Sequence, residues 1–152
     1  MPIRVEILNS EVFMKLSAKD YLSQAYKIDQ RINSKIEQVQ SLRALAEKAA
    51  STLSHTPASG TRNVHRMENI IAKMVDLETE INADLNGLID LKREIVTVIK
   101  CVECLELRTL LEMRYLSFRT WEQIAVELHF DLRHVYRVHG KALSEIDSIR
   151  RN

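Results

Sequence analysis

Residues 120–138 read TWEQIAVELHFDLRHVYRV, and this stretch decides the fold. Thr120 and Gln123 stand at the spacing of a capping box. In that arrangement the hydroxyl and the amide side chain each satisfy a backbone group that a first helical turn leaves unpaired. The helix they open, Trp121 to Leu128, carries Trp121, Ile124, Ala125 and Leu128 on one apolar side. A three-residue turn follows, His129, Phe130 and Asp131. Asp131 suits the N-cap of the next helix, because its carboxylate accepts from free N–H groups and favours the positive helix end. That helix sets Val135, Val138, Ala142, Ile146 and Ile149 at core-facing intervals. Helix, short turn and capped helix with matching apolar faces predict a helix-turn-helix unit.

One step upstream, Leu105 to about Leu116 predicts a first helix of the same unit, with Leu107, Leu110, Leu111 and Tyr115 inward, and a break at Ser117 to Arg119. The third helix carries Leu132, Arg133, Tyr136, Arg137 and Lys141 opposite its core face, with His134 and His139 as further sources of positive charge. No acidic residue lies between Leu132 and Ser144. An ordinary solvated basic face is the bland account of such a helix. The capped helix and turn before it favour a reader of double-stranded DNA, in which Arg pairs with guanine and Arg or Lys neutralises phosphate. Arg133 sits near the helix N-terminus, the part that reaches base edges in such units. The candidate DNA-binding residues are Thr120, Leu132, Arg133, His134, Tyr136, Arg137 and Lys141.

Further out, the pattern lengthens. Ser17 and Asp20 have N-cap and N3 spacing, and Ile28, Ile32, Ile36, Val39, Leu42, Ala46, Ala49 and Leu53 recur every three or four positions. They predict a helix over about residues 18–53, roughly 50 Å long. Ser54 to Asn63, SHTPASGTRN, reads as a loop. The stripe resumes with Met67, Ile70, Met74, Leu77, Ile81, Leu85, Leu88, Leu91, Ile95, Val98 and Val102. Two matched helices joined by a short loop fold back as an antiparallel pair. The second is too apolar near its end for one partner, so Leu88 to Ile99 is expected to bury against the C-terminal module or a second copy of the chain. Residues 1–16, with an alternation at Ile3, Val5 and Ile7, are expected to be an extension. The division expected is 1–16 extension, 17–103 antiparallel helical hairpin and 104–152 helix-turn-helix, in an all-α, coiled-coil-like architecture.

Bulk composition agrees. Of 152 residues 45% are hydrophobic, and with only 3 Gly and 2 Pro a turn-rich β fold is disfavoured. The formal charge of +1 says nothing about nucleic acid by itself, so the argument rests on where charges sit. No apolar run is long enough to span a membrane and no signal-peptide pattern opens the chain, and two cysteines make no disulfide framework. A cytoplasmic protein without membrane contact is expected. Cys101 and Cys104 form a lone C-x-x-C; zinc would need two more ligands, so packing is the expected role and no metal or cofactor is assigned. Arg62, His65 and Arg66 read as a solvated tip without an acid nearby. Trp121 is expected in the core, while Tyr136 stays open between DNA contact and partial burial. Asp76, Glu78, Glu80 and Asp84 read as a solvated face. No Gly-rich phosphate loop, nucleophile motif or paired-carboxylate cleft occurs, so no catalysis is expected.

The stretch RTLLEMRYLSFRTWEQIAVELHFDLRHVYRVHGKAL, residues 108–143, resembles region four of sigma-70 family factors and small prophage regulators with a region-four-like module. Arg108, Leu111, Arg114 and Tyr115 fit the first-helix motif. Thr120, Ile124, Ala125 and Leu128 fit the second, and Val135, Arg137, Ala142 and Leu143 the recognition helix. AKDYLSQAYKIDQRINSKIEQVQSLRALAEKA, RNVHRM and EINADLNGLIDLKREI also resemble those prophage proteins, a family of unknown function. The resemblance spans about residues 17–146 and implies control of phage or prophage transcription together with host RNA polymerase.

Three positions depart from the pattern. His129 stands where Gly is usual, Gln123 where an acid is usual, and Gly140 interrupts the recognition helix at roughly 1 kcal/mol relative to Ala. Aromatics are 5% and scattered, so the region that melts promoters in a complete sigma factor is missing, and initiation by this chain alone is not expected. The partners expected are DNA, RNA polymerase and a second copy through the hairpin. Two rivals remain: a phage DNA-packaging recognition subunit of the small-terminase kind, and a polymerase-binding adaptor that does not read DNA.

Overall fold

The computed structural model describes residues 16–53 and 60–152. The expectations for residues 1–15 and for 54–59 lie outside the described residues. Among these, every regular element is helical and no strand occurs. Helix α1 spans Ala18–Leu53 and α2 Gly60–Lys100; α3 spans Leu105–Leu111 and continues in a wider π turn, Glu112–Leu116. Helix α4 is Trp121–Leu128 and α5 Leu132–Arg151. Residues 60–63, read from sequence as loop, are already helical. One glycine at a helix end costs little.

Ser17 opens α1 as its spacing foretold: its Oγ accepts from the Asp20 N–H at 3.1 Å and donates to Asp20 Oδ2 at 2.7 Å. The chain divides into two compact units. One, Ile28–Leu88, is the body of the hairpin. Its interior is narrow, with Ile32, Val39, Ile70 and Leu88 buried. An ion-pair set joins its helices: Asp84 accepts from Arg31 at 2.9 Å and from Lys35 at 2.6 Å, and Lys35 also meets Glu80 at 3.1 Å. Residues 31 and 35 facing 84 and 80 show the antiparallel sense. The hydrogen bond from Lys35 to Asp84, more than any other influence, raises the affinity of that ammonium for its proton. Asp84 and Glu80 are therefore paired, not merely solvated. Asp84 lies on the Leu77, Ile81, Leu88 stripe, where two cations reach it.

The other unit joins residues 16–27 to Ile89–Asn152. The first turns of α1 and the last of α2 thus belong to the same compact unit as the C-terminal module. Tyr21, Leu22, Ile95, Ile99, Leu110, Leu111, Ile124, Val135 and Ile146 are among its fully buried side chains. Ile95 and Ile99 are covered within the chain, while Ile89 stays exposed. Polar clamps close the unit. Asp147 accepts from the Ala18 N–H at 3.1 Å, and Arg150 donates to the Leu16 carbonyl at 2.8 Å with its guanidinium 4.7 Å over the Tyr21 ring. Arg108 donates twice to the Val102 carbonyl, at 2.7 and 3.1 Å, fixing the α2–α3 joint.

That joint corrects the expectation for the two cysteines. Both thiols are free and exposed, because Cys101 lies just past α2 and Cys104 is the N-cap of α3, while Val102 between them is the buried residue.

Candidate nucleic-acid interface

The module is built from α3, its π turn, α4 and α5. The single helix expected over residues 105–116 changes pitch at Glu112, and Ser117 N–H closes the π turn on the Glu112 carbonyl, five residues back, at 3.1 Å. Phe118 then takes φ 54°, a left-handed backbone that is strained for an aromatic residue. Two neighbours hold it: Lys92 lies 4.5 Å over its ring and donates to the Leu116 carbonyl at 3.2 Å, and Tyr26 meets it edge-on at 5.6 Å.

The capping box is complete. Thr120 Oγ1 accepts from the Gln123 N–H at 3.2 Å, and Gln123 Oε1 accepts from the Thr120 N–H at 2.9 Å. Helix α4 ends at His129 with φ 56° and ψ 40°, so the residue standing where glycine is usual adopts the left-handed turn. Asp131 then caps α5, accepting from the His134 N–H at 2.8 Å. Ile124, Ala125, Val135 and Val138 close on Leu110 and Met113 as one apolar cluster, with Trp121, Leu128 and Phe130 packed against it. Trp121 thus takes its expected core side.

Helix α5 has two faces. Val135, Val138, Ala142 and Ile146 are buried. Leu132, Arg133, Tyr136, Arg137, Gly140 and Lys141 are exposed. Tyr136 is 51% exposed, and its ring meets the Trp121 edge at 5.5 Å, so it is covered on one side only. Thr120 is exposed at the start of α4, its hydroxyl engaged in the cap. His134 is half-buried between α3 and its own helix, with Nε2 3.7 Å from Glu106 Oε1 and Nδ1 bonded to the Arg137 guanidinium.

His139 overturns an expectation. It is buried against Tyr115 and Trp121, and its Nε2 shares a 2.7 Å hydrogen bond with the Tyr115 hydroxyl. Burial first, then the charges of Lys19 and Arg114, push its pKa down to about 4, so it adds no positive charge to the interface. Burial likewise raises the Tyr115 phenol to about 12. The spacing contained this: His139 falls four residues after Val135 and three before Ala142, on the core face.

Arg114 is the site residue that patterning missed. Its guanidinium stacks 4.4 Å over Trp121 and donates to the Arg119 carbonyl at 2.8 Å, so a cation borders the Trp121–Tyr136 pair. It also lines a cavity of about 180 Å³ with Ser23, Tyr26, Tyr115, Phe118 and Thr120. Its fit to the first-helix motif was the sequence signal for it; its approach to Trp121 was not legible, because the π turn in which it lies breaks regular spacing. In the other unit, Arg62, His65 and Arg66 are exposed, but an acid is within reach, with His65 Nδ1 3.4 Å from Glu68.

An all-helical protein in which a helical hairpin precedes a helix-turn-helix is the class that fold and site define. The chain belongs to the family described as "Protein of unknown function (DUF1492)", whose model matches residues 48–147, from the end of α1 through most of α5. No curated protein and no solved structure matches the chain. Among the described residues no helix is long and apolar enough to cross a membrane.

Proposed function

We propose that this chain is a sequence-specific DNA-binding transcription regulator of the phage or prophage type, acting in the cytoplasm with host RNA polymerase and without catalysis of its own. The observation that carries the reading is the division of α5. One face is buried in the module, and the other offers Arg133, Tyr136, Arg137 and Lys141 with no acid before Glu145. In this reading α5 enters a major groove. Arg133, Tyr136 and Arg137 lie toward base edges, with Leu132 and His134 beside them, and Lys141 and Thr120 approach phosphates. The part given to RNA polymerase is supported by the resemblance of residues 108–143 to sigma region four.

A homodimer through the hairpin belongs to the same reading. Exposed Ile36, Val64, Ile71, Val75 and Leu85 support it, since one unit with a narrow interior leaves these apolar side chains in water.

Selection of bound sequences from a random DNA pool tests the reading, with wild type beside Arg133→Ala/Arg137→Ala. A defined motif is expected for wild type and lost in the double variant, with affinity falling as salt rises. No enrichment for either protein would leave the polymerase-binding adaptor as the better account. Sedimentation mass separates the remaining rival, because a packaging recognition subunit forms a large ring whereas a regulator is expected as a dimer.

A further inference from the structure

On the exposed side of α5, one arginine is tied down before any ligand arrives. Arg137 Nη2 donates to His134 Nδ1, one turn earlier on the helix. A neutral imidazole has one donor and one acceptor nitrogen, so an accepting Nδ1 puts the ring proton on Nε2. Nε2 points to α3, where Glu106 Oε1 lies 3.7 Å away, a partner of the right sign for that N–H. Phe130 meets the same ring edge-on, with centroids 4.4 Å apart and planes at 81°, which fixes its tilt. Carboxylate, imidazole and guanidinium thus form a chain from α3 to the exposed face of α5. Among the described residues Arg133, one helical turn from Arg137, has no corresponding partner.

We infer that His134 is a positioning residue: it aims the Arg137 guanidinium, while the charge of Glu106 favours the tautomer and Phe130 fixes the tilt that let it do so. This rests on the DNA-reading proposal and assigns His134 a role other than touching DNA. A long, flexible side chain loses rotamer freedom when it docks on a base, and ordering it in advance removes part of that loss. One guanidinium N–H is used by His134; the remaining edge keeps the paired donors that match the O6 and N7 acceptors of guanine. The mechanism predicts specificity at one base position and leaves the phosphate-driven part of binding untouched.

The test uses the full-length chain in the same random-pool selection, with His134→Ala, His134→Gln, Glu106→Gln, Arg137→Ala and the His134→Ala/Arg137→Ala pair. Arg137→Ala is expected to erase preference at one position of the motif. His134→Ala should weaken preference at that same position about threefold to tenfold, the ratio that one ordinary hydrogen bond commands. His134→Gln, which keeps an acceptor, should restore most of it, and Glu106→Gln should fall between. In the double variant the loss of His134 should add nothing, the signature of two residues acting as one. The slope of affinity against salt should stay that of wild type.

A fall in that slope of about one unit for His134→Ala would make His134 a phosphate contact and overturn the inference. So would additive losses in the double variant, or a loss spread over all positions. Nitrogen-15 NMR of the free protein gives an independent reading: a protonated Nδ1 on His134 would overturn the positioning role even if DNA is read. A wild-type chain that selects no motif, with Nδ1 accepting as described, would instead overturn the DNA-reading proposal on which the role depends.

Discussion

The unit of residues 28–88 and the unit that carries the helix-turn-helix are made from the same kind of amphipathic helix, yet they bury their apolar residues very differently. In the hairpin body Ile32, Val39, Ile70 and Leu88 are buried, and Ile36, Leu45, Val64, Ile71, Val75 and Leu85 remain exposed. In the other unit Tyr21, Leu22, Ile95, Ile99, Leu110, Leu111, Ile124, Val135 and Ile146 lose essentially all contact with water. Two helices alone enclose only a seam, whereas five helical segments meeting at angles enclose a volume. Fully burying one such side chain stabilises a fold by about 1.5–3 kcal/mol, so the module's unit holds most of the hydrophobic stabilisation. The hairpin body relies more on continuous helix and on its Arg31, Lys35, Glu80 and Asp84 cluster.

The largest effect that sharpens this contrast is a cavity. Ile124→Ala, at 0% exposure, should cost about 3–4 kcal/mol, because the rigid surroundings cannot collapse into the space. Val39→Ala, in the seam, should cost about 1–2 kcal/mol, since the side chain is smaller and water can reach the narrow seam. Urea denaturation followed by circular dichroism measures both. Equal costs would break the comparison and imply that the hairpin body is covered by a partner, such as a second copy.

Acid should separate the two regions next. His139 remains neutral in the folded chain down to about pH 4, while an unfolded imidazole takes up its proton near 6.5. Between those values the unfolded chain binds more protons, so stability is full above about pH 6.5 and is lost as pH falls toward 4. The loss from this residue should reach at most about 3 kcal/mol. Trp121, the single tryptophan, lies 4.5 Å from the His139 ring and reports on this unit by fluorescence. His139→Gln, which keeps a partner for Tyr115, should flatten the pH dependence between 6.5 and 4; an unchanged slope would place the acid sensitivity elsewhere.

Much of this organisation was legible in the chain, and what was not has physical causes. Helix stripes and caps are local, so Ser17, Thr120 with Gln123, and Asp131 announced their roles directly. At His129, where Gly is usual, the position left open a left-handed backbone or a different turn, and the chain takes the first. The π turn was not legible: one additional residue per turn leaves the apolar order of Leu107, Leu110, Leu111 and Tyr115 readable as ordinary helix. Its consequences, the strained Phe118 and the stacked Arg114, were hidden with it. His139 and Asp84 were misread for another reason. Both stand on apolar stripes, where spacing decides burial more than residue type does. A polar residue on such a stripe is better read as a buried residue with a partner, here Tyr115 for one and Lys35 for the other.

That rule makes Asp84 the next test. Asp84→Asn keeps the shape and removes the charge that holds Lys35 and Arg31. Lys35 and Asp84 are mostly covered, whereas Arg31 is largely in water and contributes little. The variant should lower the urea midpoint, mainly by leaving Lys35 with a weaker partner. Amide hydrogen exchange should accelerate within residues 28–88 and stay unchanged around Ile124. Loss of protection in both units alike would show that the hairpin body and the module unfold as one.

The smallest effect opposes stability to function within a single residue. Gly140 is exposed, and a Cβ added there would meet nothing within 4 Å, so no packing in the free chain requires glycine. Gly140→Ala should therefore stabilise α5 by about 0.5–1 kcal/mol, read as a raised urea midpoint. At 100° per residue, position 140 falls between Arg133, Tyr136, Arg137 and Lys141, at the middle of the exposed face. If that face lies in a groove, a methyl group at its centre stands nearest the nucleic acid, and the stabilised variant should bind DNA more weakly at every sequence. Higher stability with undiminished DNA affinity would mean that the centre of this face does not approach DNA closely, and the docking would have to turn toward one flank of the helix.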